Sequence, residues 1–130
     1  MVTAKVIEAF LPVEPESARE ARGLVEKLRG HILEATGEDL KLLISELVTN
    51  SIRHGGLHPS QKLVVKIVAR QDVVRGEITD PGGGFIHASK SFDGERTNGW
   101  GLKVVESLSS RWGVMKDPPT RVWFEIDVKA

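Results

Sequence analysis

The chain has 130 residues, 18 acidic and 18 basic side chains, and no cysteine. A formal net charge of zero argues against nucleic acid as the main partner, because phosphate backbones select a basic surplus. The lack of cysteine excludes disulfides and thiolate-built zinc or redox sites, and 40% hydrophobic with 28% charged residues predicts one soluble globular domain over residues 1–130. No basic start followed by an apolar run marks a signal peptide, and no apolar stretch reaches membrane length, so a cytoplasmic protein is expected.

In chain order, Lys5 to Leu11 has strand composition and stops at Pro12. Glu16 to about Glu34 carries Ala18, Ala21, Leu24, Val25, Leu28 and Ile32 at helical spacing, with Gly37 as the expected break. Glu38 to His54 predicts a second helix with Leu40, Leu43, Ile44, Leu47, Val48 and Ile52 on one face, stopped by Gly55 and Gly56. Gln61 to Ala69 and Val73 to Thr79 read as a hairpin around a polar turn at Arg70, Gln71 and Asp72. A glycine-rich loop follows from Asp80 to Phe85, then a polar, aperiodic segment to Asn98. The segment from Ile86 to Asn98 is expected to act as a lid over a bound ligand. Gly101 to Ser110 predicts a short helix, and Trp112 to Met115 and Val122 to Val128 predict two closing strands. Strands and helices do not alternate strictly, so a doubly wound parallel sheet is not expected. The order predicts an α+β fold, a two-layer sandwich with helices on one face of a mixed, mostly antiparallel sheet.

Three segments can carry chemistry. Glu46 and Asn50 stand four apart on one flank of the second predicted helix, with Arg53 nearby, beside the apolar stripe rather than in it. A lone Glu or Asn on a helix is ordinarily solvated surface. As a pair they suit a different role: the amide oxygen is a hard ligand for Mg²⁺, which needs few protein ligands besides phosphates, and the carboxylate can accept a proton. Asp80 closes a strand directly before Pro81, Gly82, Gly83 and Gly84. Most such runs are turns, yet glycines also admit a flat ligand, and a carboxylate accepts from the amino group of adenine where guanine presents an acceptor. Asn98 to Leu102 turns through Gly99, Trp100 and Gly101 into a helix, and a helix N-terminus is an anion site. Neither a lysine-bearing P-loop nor a dinucleotide fingerprint is present. No two of His31, His54, His58 and His87 stand at metal-ligand spacing, so they read as structural or solvated, and no nucleophile elbow is present. Trp112 and Trp123 read as packing residues.

Taken together, Glu46-Leu47-Val48-Thr49-Asn50 with Arg53-His54, then Asp80-Pro81-Gly82-Gly83-Gly84, then Gly99-Trp100-Gly101-Leu102 resemble the three boxes of the GHKL ATPases. That superfamily includes gyrase, a heat-shock chaperone, histidine kinases and a mismatch-repair protein. Spacing and length look most like the stand-alone anti-sigma-factor serine/threonine kinases of actinobacterial type. The closing runs from Leu108 to Val114 and from Arg121 to Glu125 add to the likeness, which is strong from about Leu40 onward. The resemblance implies the histidine-kinase-like ATPase fold, with ATP and Mg²⁺ as cofactors. It implies Glu46 as general base toward an acceptor hydroxyl and Asn50 as Mg²⁺ ligand. It further implies Asp80 at the adenine amino group, Gly82 and Gly84 shaping that pocket, and Gly99, Trp100, Gly101 and Leu102 near the phosphates. Arg53 stands where a phosphate contact occurs in histidine kinases, and Thr120 resembles a threonine near adenine, although Pro119 replaces the glycine often found before it. Trp100 replaces the arginine common between the two glycines. The implied partners are a sigma factor and an anti-anti-sigma protein, with no direct nucleic acid and no membrane, and with a homodimer left open. Two other readings stay open: a non-catalytic ATP-dependent binding module that sequesters a partner, and a detached histidine-kinase-like ATPase domain. The absence of an H-box-like dimerisation helix in these residues counts against the second.

Overall fold

The computed structural model describes residues 4–54, 57–81, 100–115 and 119–128. Strand β1 covers Lys5–Pro12, β2 Lys62–Ala69, β3 Val73–Asp80, β4 Arg111–Met115 and β5 Thr120–Asp127. Helix α1 covers Ser17–Glu26, α2 Glu34–His54 and α3 Trp100–Leu108. The strands form one sheet in the order β1-β2-β3-β5-β4, and each described pair is antiparallel. The helices lie on one side of it, as the α+β reading expects.

Period-two alternation sets the two faces of the sheet. Leu63, Val65, Ile67 and Ala69 of β2, Val74 and Ile78 of β3, and Val122, Phe124 and Ile126 of β5 are all buried. The register stacks them across strands, with Val65 opposite Ile78 and Ile78 opposite Val122. The same face meets the apolar stripe of α2, where Leu40, Leu43, Ile44, Leu47 and Val48 are fully buried. On the opposite face, Arg75 lies 4.6 Å above the Trp123 ring and 3.2 Å from Glu125, which also takes Arg111 at 2.9 Å. The Arg111 guanidinium, foremost, holds the Glu125 carboxyl below its ordinary range.

The register also fixes chain direction. Asp80 pairs with Thr120, Val64 with Thr79, Pro12 with Lys62 and Met115 with Arg121. The ends of β1, β3 and β4 and the starts of β2 and β5 therefore share one edge of the sheet, hereafter the upper end. Helix α2 must deliver the chain to β2 there, and its 21 residues extend about 31 Å, somewhat more than the roughly 26 Å of the eight-residue strands beneath it. Helix α3 ends shortly before Arg111, which pairs with Glu125 at the lower end, so its N-terminus also points upward.

Two boundaries differ from the sequence expectation. The first helix ends at Glu26 rather than about Glu34, and Gly37 lies inside α2 instead of breaking the chain before it. After Glu26 the backbone tightens into three-residue turns, Leu28 to Val25 and His31 to Leu28, and Gly30 takes a positive φ of 88° within them. Leu28 and Ile32 keep facing the core through these turns, which prolongs an apparent helical period beyond the helix itself. Gly37 donates normally to Leu33, 3.0 Å away, in the first turn of α2, where the loss of helix propensity matters least.

Gly76 sits in β3 directly opposite Phe124, and a Cβ there would overlap the ring. Gly76→Ala should therefore destabilise the fold by about 1–3 kcal/mol through overpacking, measured as a lower urea midpoint at unchanged slope. An unaltered midpoint would show that Phe124 moves aside freely.

Candidate functional site

The rotation of α2 decides where its polar residues point. Lys41 makes an ion pair with Glu26, so that flank faces α1. Glu46 and Asn50 lie roughly 140° to 180° around the helix from Lys41 at 100° per residue, on the flank opposite α1. Helix α2 also packs against α3, and that is the flank left for it. Glu46 is half-buried, Asn50 is buried, and Arg53, further toward the outside, is exposed.

Asp80 ends β3 on the buried face, fully enclosed, and its cross-strand neighbour is Thr120, also buried. Paired residues on one face hold their Cβ atoms about 4.5–5.5 Å apart. A carboxylate and a hydroxyl thus stand side by side at the upper end, where every other inward position of β3 and β5 is apolar or glycine. An ionisable side chain at a fully buried position is costly, and a strand that only closes a core does not need one. Helix α3 begins at Trp100, and its first turn carries no acidic residue, which leaves the positive end of its dipole available to an anion.

Of the residues singled out by sequence, the topology brings Glu46, Asn50, Asp80, Thr120 and the start of α3 at Trp100, Gly101 and Leu102 to one end of the molecule. Arg53 shares the helix end but faces outward. Gly82, Gly84, Gly99 and the expected lid from Ile86 to Asn98 lie outside the described residues, as do the side chains of Trp100 and Leu102. Among the described residues no cluster of potential metal-ligating side chains occurs, and no helix is long and apolar enough to cross a membrane.

The sequence reading missed one residue here. The apolar stripe was carried from Val48 to Ile52, but the position that continues it is Ser51, which is fully buried while Ile52 is half-buried. The signal was available: a serine three residues beyond Val48 and four beyond Leu47 interrupts an otherwise aliphatic row. Neither the Ser51 hydroxyl nor the Asn50 amide nitrogen has a hydrogen-bond partner among the described residues. Buried polar groups are rarely left so, and those that are point to a missing water, ion or ligand.

A cleft of about 290 Å³ lies elsewhere, between the end of α1 and the start of α2, lined by Val25, Ile32 and Leu33 with Glu26, Arg29 and Lys41. Its charges already serve one another. Lys41, foremost, and Arg29 hold the Glu26 carboxyl down at about 2. It stands at the lower end, away from every residue that the sequence assigned to chemistry.

A buried polar pair at a sheet end, an amide and a carboxylate on the facing helix, and a helix N-terminus directed to the same end are thus brought together by the fold. Residues 11–125 match the family model described as a histidine kinase-like ATPase domain, and the chain belongs to that family. No curated protein sequence matches the chain. Among solved structures, the crystal structure of the RsbU and RsbW domains of Rv1364c from Mycobacterium tuberculosis matches 95% of the chain at a TM-score of 0.73 and 22% identity. The chain corresponds to 32% of that longer protein, and the likeness is one of fold.

The Asn50 amide nitrogen is enclosed with no partner among the described residues. Asn50→Ala should leave the melting temperature of the nucleotide-free protein equal or raised, because it relieves a desolvated donor and favours the helix. A fall of several degrees in thermal unfolding would mean that Asn50 is structural.

Proposed function

We propose that the chain is an ATP-binding regulator that transfers the γ-phosphoryl group of ATP to a serine or threonine of an anti-anti-sigma protein and also binds a sigma factor. The family match supports the nucleotide. The observation that carries the rest is the placement of Glu46 and Asn50 on one flank of α2, at the same end as the buried Asp80–Thr120 pair. The likeness of the three motifs to anti-sigma-factor kinases supports the partner classes. The RsbW domain named in the similar structure is consistent with them in fold.

In this reading Asp80 accepts a hydrogen bond from the adenine amino group, with Thr120 beside it. The amide oxygen of Asn50 is the hard ligand for Mg²⁺, and its amide nitrogen, now unpartnered, gains a phosphate oxygen or a water as acceptor. The metal ion, when bound, supplies neutralisation of phosphate charge. The N-terminal amides of α3 face the phosphate chain. The acceptor hydroxyl attacks the γ-phosphorus, its proton passes to the Glu46 carboxylate, and the bond from the γ-phosphorus to the bridging oxygen of ADP breaks. Such transfer is mostly positioning and charge stabilisation, which a half-buried flank near a helix N-terminus can supply.

Two measurements test this. General-base catalysis contributes about 10²–10⁴-fold, so Glu46→Gln should slow transfer to the acceptor by that order while leaving ATP affinity nearly unchanged. Transfer at the native rate in Glu46→Gln removes the base assignment, and no transfer by the native protein to any acceptor leaves an ATP-dependent binding module. Separately, Asp80→Asn should weaken ATP by at least about tenfold, the loss expected for a hydrogen bond to a charged group. Calorimetry should also find the native protein preferring ATP to GTP, and equal affinities would remove Asp80 from base recognition.

A further inference from the structure

The Ser51 hydroxyl is an anomaly that neither the core nor the catalytic flank explains. It occupies the apolar stripe of α2, one turn beyond Leu47 and Val48, at a position with no solvent exposure. A serine inside a helix ordinarily bonds back to the carbonyl one turn earlier. Ser45 and Ser109 both bond to backbone carbonyls of the preceding turn, at 3.2 and 2.5 Å. Ser51 bonds to nothing among the described residues. Its hydroxyl is therefore not used by its own helix, and the stripe to which it belongs faces the sheet.

The register tells which part of the sheet lies ahead of it. The C-terminal end of α2 delivers the chain to the start of β2, and Leu63 is the residue beside Asp80 in the hydrogen-bonded row that continues to Thr120. Ser51 thus faces the upper end of the sheet from the helix layer, as Asp80 and Thr120 face the helix from the sheet layer. Elsewhere along α2 this interlayer space is filled by Leu40, Leu43, Ile44, Leu47 and Val48. At Ser51 alone on the stripe, the helix presents a hydroxyl with no partner. An alanine there would raise helix propensity and abolish the desolvation cost.

We infer that Ser51 is a base-recognition residue of the nucleotide pocket, its hydroxyl hydrogen-bonding the Watson–Crick edge of the purine that Asp80 holds. A hydroxyl both donates and accepts, so it can donate to the N1 acceptor of adenine, adjacent to the amino group that Asp80 takes. The inference rests on the nucleotide reading above and adds to it a group on the helix side of the pocket.

The test is Ser51→Ala, measured in two ways on the whole chain. The melting temperature of the nucleotide-free variant should equal or exceed that of the native protein, since a partnerless buried hydroxyl is removed. Affinity for ATP should nevertheless fall about three- to tenfold, the usual worth of one neutral hydrogen bond. The 1-deaza analogue of ATP, which lacks the N1 acceptor, should bind native and variant proteins alike. Opposite movement of stability and affinity is the signature, because a packing role moves the two together. If native protein binds ATP and Ser51→Ala binds it equally well, or if the 1-deaza analogue loses as much as ATP, the Ser51 assignment is wrong while the nucleotide reading stands. If the native protein binds no ATP at all, the nucleotide reading itself fails.

Discussion

The rotation of α2 against the sheet is the constraint on which the rest of the structure depends. Leu40, Leu43, Ile44, Leu47 and Val48 are all fully buried on that one face. At about 1.5–3 kcal/mol for each enclosed side chain, the stripe makes a gross contribution of roughly 7–15 kcal/mol, before entropy is set against it. Turning the helix by a single residue would bring Glu46 toward the core, where an unpaired carboxylate costs far more than a methyl group gains. The aliphatic residues thus determine the direction of the polar ones. Glu46 and Asn50 need no dedicated scaffold, because burying their neighbours already holds them on the flank toward α3.

The second determinant is where strands begin and end. Alternation gives β3 and β5 an inward residue at every second position, and along most of their length these are Val74, Ile78, Val122, Phe124 and Ile126. Only the last inward position before the connection at the upper end carries a polar group, Asp80 on β3 and Thr120 on β5. Antiparallel pairing places them side by side although 40 positions separate them in the chain. The same end receives the C-terminus of α2 and the N-terminus of α3. A single topological fact, that three strands end where two begin, therefore gathers side chains of α2, β3 and β5 and the start of α3 at one end of the fold.

The sequence carried much of this plainly and some of it not at all. The stripe of α2 and the alternation of β2 were legible because burial on one face leaves a clean period, 3.6 in the helix and 2 in the strand. The flank of Glu46 and Asn50 followed from the same period. The end of α1 was not legible, because Leu28 and Ile32 reach the core from three-residue turns that mimic helical spacing, and no glycine marks the end at Glu26. The pairing of Asp80 with Thr120 was beyond any local pattern, since register is a property of two strands. Ser51 was missed for a different reason: pattern reading seeks apolar residues, and it moved to Ile52 to find one.

These failures and successes divide along a physical line. Where a position serves folding, its residue type and its burial agree, as along the lower length of the three central strands. Of the buried polar side chains among the described residues, Ser17 and Ser45 bond to backbone carbonyls and Thr36 lies in the first turn of α2, while Asn50, Ser51, Asp80 and Thr120, each at most 7% exposed, stand at the upper end. Here two stand at the end of one helix and two at the strand ends of one sheet edge, on facing layers. A fold that stabilised itself alone would fill that space with the same aliphatic residues it uses one turn away. Of these, the Asn50 amide nitrogen and the Ser51 hydroxyl have no partner among the described residues, and each lowers stability until a group with its own donors or acceptors meets it.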